Sequence, residues 1–106
     1  MEVIMIASKA KETMLVVSTA HIKESTAQWL NKQVEQKSVN SEVILFPKGE
    51  YGWFIYVNLD ENDNIENLNI PEDLSKLLTI TAQEDCYWLC LDRDGFEIDS
   101  LPRYEW

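Results

Sequence analysis

The sequence predicts an α+β domain of the split β-α-β (ferredoxin-like) kind, with two helices on one face of a mixed sheet. Three observations carry that expectation. Short apolar runs rich in β-branched and aromatic residues recur along the chain, as strands require. Two stretches between them switch to helical spacing. Glycine, proline and asparagine fall where one pattern gives way to the other.

Met14-Leu15-Val16-Val17 is a continuous apolar run followed by Ser18-Thr19, which reads as a strand buried on both sides. From Ile22 the spacing becomes helical: Ile22, Thr26, Ala27, Leu30 and Val34 share one face, giving a helix over about residues 23–36. Residues 38–41 break it. Val43-Ile44-Leu45-Phe46 is a second strand, expected to stop at Pro47, which has no N–H to give to a ladder. Lys48-Gly49-Glu50 turns the chain into a long aromatic strand over residues 51–57, so the two form a β-hairpin.

Residues 60–69 hold four acidic residues and four asparagines and read as an exposed loop. Pro71 suits the first turn of a helix, and Glu72 and Asp73 suit the positive end of its dipole. Leu74, Leu77, Leu78 and Ala82 supply that helix with a buried stripe. Residues 87–91 make the next strand. Asp94-Gly95 then signals a two-residue hairpin, which would fold residues 96–98 back as a short extra strand. Residues 101–106 form a tail with two aromatics.

The order strand, helix, strand, strand, helix, strand is the split β-α-β pattern. Right-handed crossovers would place both helices on one face. Tyr51, Trp53, Ile55 and Val57 alternate with Gly52, Phe54, Tyr56 and Asn58, so aromatics stand on both sides of that strand. An aromatic outer face points to an interface or a homodimer. Residues 14–106 make one domain, and residues 1–13 read as an extension or an extra strand, with Met14 as a second start position.

The chain has 106 residues, 45% of them apolar, which is enough for one core and too little for two. No apolar run approaches the ~20 residues that cross a bilayer. Val3-Ile4-Met5-Ile6-Ala7 is too short for a signal-peptide core and no basic stretch precedes it, so a cytoplasmic location is expected. Cys86 and Cys90, placed in one strand, would lie roughly 13 Å apart, beyond the ~7 Å reach of a disulfide. They are expected as buried free thiols. His21 is the only histidine, and neither a metal nor a cofactor is expected.

The net charge of −10 is confined to one part of the chain. Residues 1–59 balance six lysines against six glutamates, whereas residues 60–106 set thirteen acidic groups against Lys76, Arg93 and Arg103. Such a field repels nucleic acid and membrane surfaces and attracts basic partners, or simply keeps a small protein in solution.

Four blocks carry a resemblance: Ser18-Thr19-Ala20-His21-Ile22, Lys48-Gly49-Glu50-Tyr51-Gly52-Trp53-Phe54-Ile55-Tyr56-Val57, Trp88-Leu89-Cys90-Leu91-Asp92-Arg93-Asp94-Gly95, and Leu101-Pro102-Arg103-Tyr104-Glu105-Trp106. In that order they resemble a small domain-of-unknown-function family carried by bacterial plasmids, phages and integrated elements. The likeness spans about residues 14–106 and implies a place among mobile-element accessory genes, anti-restriction functions included. It implies no activity. Lys23 departs from the pattern, since members often carry Thr or Ser there as a helix cap, which leaves the helix start open.

The residues singled out divide into three groups. His21 lies between the first strand and a helix, where ligand sites gather in open α/β sheets. With Asp92 and Asp94 it offers a weak catalytic constellation for a small enzyme or ligand-binding domain. The alternative is a histidine that merely hydrogen-bonds its turn. Asp60, Glu61, Asp63, Glu66, Glu97 and Asp99 offer an acidic surface for a host protein with a basic surface, with no direct nucleic acid and no membrane as partner. For these the alternatives are a solvated loop and a plain hairpin, and the glycine spacing does not fit a calcium loop. Trp53, Tyr104 and Trp106 are either core residues or interface anchors. The leading expectation is a non-enzymatic inhibitor of a host nucleic-acid-processing or defence factor. A homo-oligomeric interaction module is the remaining alternative.

Overall fold

Leu89, Leu91, Ile55 and Val17 have almost no solvent exposure, and strand register puts all four on the same side of one sheet. In the computed structural model, which describes residues 11–36, 43–57, 65 and 68–106, that sheet has four strands: β1 (Met14–Ser18), β2 (Leu45–Pro47), β3 (Gly52–Tyr56) and β4 (Trp88–Asp92). Two helices, α1 (Glu24–Gln36) and α2 (Glu72–Gln83), pack on the apolar side, where Leu30, Leu74 and Leu77 complete one core. The α+β class is therefore as the sequence predicts. The loop carboxylates Asp60, Glu61, Asp63 and Glu66, together with residues 1–10, lie outside the described residues.

The strand order is β1-β4-β3-β2, with β1 parallel to β4 and the other two pairs antiparallel. A ferredoxin-like sheet would instead hold β1 between β4 and β3, with no parallel neighbours. The difference follows burial. β4 carries Leu89, Cys90 and Leu91, all buried, so it profits most from a neighbour on each side. β1 is half exposed at its start and takes the edge, with Met14 and Val16 in contact with solvent.

That placement also removes the expected C-terminal hairpin. Both edges of β4 are occupied, so no ladder is left for residues 96–98 to join. The chain instead turns at Asp92 and passes to the free edge of β1. There Phe96 makes a single parallel bridge to Val17, and its carbonyl accepts from the Ser18 N–H at 2.9 Å. Gly95 makes the crossing feasible, because a Cβ on it would sit 2.5 Å from the Val17 carbonyl.

Two smaller features have local causes. β2 ends at Pro47, as expected, and as an edge strand it tolerates the missing N–H on the side that faces away. Helix α1 starts at Glu24, and Lys23 has no side-chain oxygen with which to cap it. Asp73, at the start of α2, takes the role, accepting from the Lys23 N–H at 2.8 Å and from the Thr26 hydroxyl. One carboxylate thereby ties the first turns of both helices together.

The face away from the helices is aromatic. Trp88 stacks edge-on to Tyr56 at 5.1 Å and lies 6.2 Å from Phe46, which is 53% exposed. Phe54 sits beneath the Lys48 ammonium. Cys90 is buried under this layer, and both cysteines are free thiols. Among the described residues no helix is long and apolar enough to cross a membrane.

Candidate functional site

β1 and β4 run in the same direction, so their carboxyl ends, Ser18 and Asp92, finish side by side. The turn from β2 to β3 meets them there, because Gly52 opens β3 opposite Asp92. Only glycine fits at that point: a Cβ would lie 1.6 Å from the Leu91 carbonyl oxygen, and its φ of +155° is outside the range other residues favour. The tail joins as well, with the Tyr104 N–H donating to the Ala20 carbonyl at 2.7 Å and the Trp106 indole N–H to the Ile22 carbonyl at 2.8 Å.

Between these segments lies a cleft of about 610 Å³. Ser18, Thr19 and Ala20 line it after β1, together with Ala27 and Asn31 of α1. Residues 49–53, Arg93, Glu97, Tyr104 and Trp106 complete the lining. All four blocks that carry the family resemblance contribute to it. The lining is mixed, with Tyr51, Trp53, Tyr104 and Trp106 set among polar and small residues. Trp53 is 8% exposed and its indole N–H donates to the Asn31 side-chain oxygen at 3.2 Å. The Arg93 guanidinium stacks on Tyr51, 4.4 Å from the ring centre.

His21 does not open into this cleft. It is buried, its Nε2 accepts from the Ile98 N–H at 2.8 Å, and its Nδ1 faces the Pro102 carbonyl at 2.9 Å. The Nε2 must be the acceptor, so the proton sits on Nδ1 and the ring is neutral. Both nitrogens are thus committed to backbone, and His21 clamps the tail onto the end of β1. Ser18 is likewise committed, its hydroxyl accepting from the Ala20 N–H at 3.0 Å.

Asp92 is held by two bonds, to the Lys48 ammonium and to the Asp94 N–H. The hydrogen bond from Lys48 keeps the Asp92 carboxyl below the usual carboxylate range, and the same bond raises the lysine. Burial pushes the nearby Cys90 thiol up, so it stays protonated near neutral pH. His21, Asp92 and Asp94 share no cavity: His21 lines a separate hollow of about 170 Å³ beside Lys23, Asp73 and Tyr104, and neither aspartate lines it. Among the described residues no group of three or more His, Cys, Asp or Glu is placed to hold a metal ion.

Glu97 and Asp99 do come together, because Arg103 reaches both, at 3.3 and 3.1 Å. The other described carboxylates of the acidic half are divided, with Glu72 and Asp73 at the start of α2, Glu84 and Asp85 at its foot, Asp92 and Asp94 at and after the end of β4, and Glu105 in the tail. Trp53, Tyr104, Trp106 and Glu97, named from sequence as anchors or acidic surface, all line the cleft. Arg93, Tyr51 and Asn31 were not anticipated. An arginine set in an acidic run is the one signal for Arg93 that the sequence carries.

No curated protein and no solved structure shows detectable similarity to the chain. A family model, described as the C-terminal domain of a family of unknown function (DUF5983), matches residues 14–106, which include every strand, both helices and all of the cleft. The chain belongs to that family.

Proposed function

We propose that this domain is a non-enzymatic binding module whose ligand seats in the cleft at the carboxyl end of β1 and β4. The convergence of four separate segments on one cavity of mixed polar and aromatic lining carries this reading. Its volume falls in the range of small-molecule sites, and it occupies the edge of an open sheet where ligands commonly bind. Binding without chemistry is favoured because His21, the one histidine available as a base, has both ring nitrogens in structural hydrogen bonds instead. The test is a fragment screen on ¹⁵N-labelled protein. Hits should shift Ser18–Ala20, Tyr51–Trp53 and Tyr104–Trp106 together. Hits that cluster on the open aromatic face, or an absence of hits, would sink the reading.

A second reading rests on the one-sided charge: the acidic half docks on a basic surface of a host nucleic-acid-processing or defence factor, as an accessory function of a mobile element. Glu97 and Asp99, bridged by Arg103, would belong to that surface. Capture from host lysate should then recover a basic partner at low salt and lose it at high salt. Recovery of no such partner at either salt would end it. The open face of Val16, Phe46 and Trp88 favours a homodimer as a third arrangement, which light scattering at high concentration decides.

A further inference from the structure

We infer that the cleft takes a small ligand with a flat aromatic body and one oxyanion group, the oxyanion seated on Arg93. This rests on the cleft being a binding site. The first observation is that Arg93 makes no salt bridge to a carboxylate among the described residues. Lys11, Lys23, Lys32 and Lys76 also make no salt bridge among the described residues, but Arg93 is the one cation among the residues that line the cleft. Arg103 holds Glu97 and Asp99, and Lys48 holds Asp92. Arg93 lies between two aspartates in sequence, makes a salt bridge to neither, and feels Asp92 only as a nearby charge.

The second observation is how it is held. Its backbone N–H donates to the Tyr51 carbonyl at 2.9 Å, and its guanidinium stacks on the Tyr51 ring. A guanidinium held over a ring keeps its N–H groups, and among the described residues those of Arg93 donate to no protein acceptor. A planar fork fixed this way, on the rim of a cleft, is suited to a carboxylate or phosphate bound by two parallel hydrogen bonds.

The rest of the cleft defines the body and limits the charge. Tyr104 and Trp106 offer ring surface for an aromatic body, while Trp53 is largely buried in the core. Glu50 and Glu97 also line the cavity, and the chain is strongly negative, so a second or third anionic group would meet repulsion. The fit is to a mononucleotide or an aryl carboxylate rather than to a nucleoside triphosphate or a nucleic-acid strand.

The experiment titrates ¹⁵N-labelled protein with adenosine monophosphate, adenosine triphosphate, adenosine, indole-3-carboxylate and inorganic phosphate, following the indole N–H signals of Trp53 and Trp106. Either the monophosphate or the aryl carboxylate should bind at least tenfold more tightly than adenosine, phosphate or the triphosphate, and which of the two does so identifies the source of the oxyanion. Arg93→Gln should abolish that preference without changing the melting temperature, and Arg93→Lys should restore part of it. Adenosine binding the cleft as tightly as the preferred anion would overturn the inference yet leave the cleft a binding site. Equal affinity in Arg93→Gln would do the same. No shift from any probe would overturn the inference, and only an empty fragment screen beside it would remove the cleft reading too.

Discussion

The helix-covered face and the carboxyl end of the sheet are held together by different physics. Leu89, Leu91, Ile55, Leu30 and Leu74 are joined by burial alone, and each loses its water whichever neighbour supplies the contact. At the carboxyl end the joints are single bonds between named atoms: the two His21 nitrogens, the Trp106 indole, and the Asp92 carboxylate with Lys48. Burial is graded and forgives a change of shape. A buried hydrogen bond is either made or leaves an unpaired group behind.

The strongest attempt to break this contrast is Gly52→Ala. Its Cβ would collide with the Leu91 carbonyl, so β3 and β4 must part where the cleft begins. A loss of about 3 kcal/mol or more is expected in urea unfolding. A loss below about 1 kcal/mol would show that the two strands separate freely there. Next comes His21→Phe, which keeps the bulk and strands the Ile98 N–H and the Pro102 carbonyl. It should cost about 2–3 kcal/mol and red-shift the Trp106 emission as the tail loosens. Leu89→Met, its counterpart in the core, should cost less than about 1.5 kcal/mol. If the two substitutions cost the same, the contrast is wrong.

A pH experiment sharpens the same comparison. Because Lys48 depresses the Asp92 carboxyl in the folded state, the stabilisation is complete above the ordinary carboxylate pKa, about 4, and fades as pH falls through the lower folded value. The raised Lys48 gives the opposite limb, present at neutral pH and lost only as pH rises through a folded value above the usual ~10.4. An NMR titration of Asp92 should therefore move upward in Lys48→Met. An unmoved midpoint would show that the lysine is not its partner in solution.

The smallest effect is expected at Asp85, which follows α2 with a φ of +56° in the position usually given to glycine. Asp85→Gly should be neutral or stabilising by about 0.5 kcal/mol, with unfolding midpoints as the measure.

Element identity was legible in the sequence because alternation and helical spacing each record what one residue does to its own neighbours. All four strands and both helices lie within a few residues of their expected places. Strand order was not legible, since a period of two says which side a residue faces and nothing about which strand lies beside it. The hairpin expected at Asp94-Gly95 failed for the same reason: the turn is real, but the edge it needed was occupied. The cleft was half legible. Trp53, Tyr104 and Trp106 drew notice as large aromatics, whereas Arg93 acquires its meaning only from Tyr51, more than forty residues earlier.

The central position of β4 has a consequence for assembly. It lies between β1 and β3, and its partners were made long before it, Met14 pairing with Trp88. While the chain is being synthesised, the β2–β3 hairpin and β1 have no ladder to share until residues 88–92 leave the ribosome. Closing so long a loop late makes for slow folding. During that interval the aromatic strand Gly52–Tyr56 has an open edge, and a chaperone or a second nascent chain could pair with it before the native partner arrives.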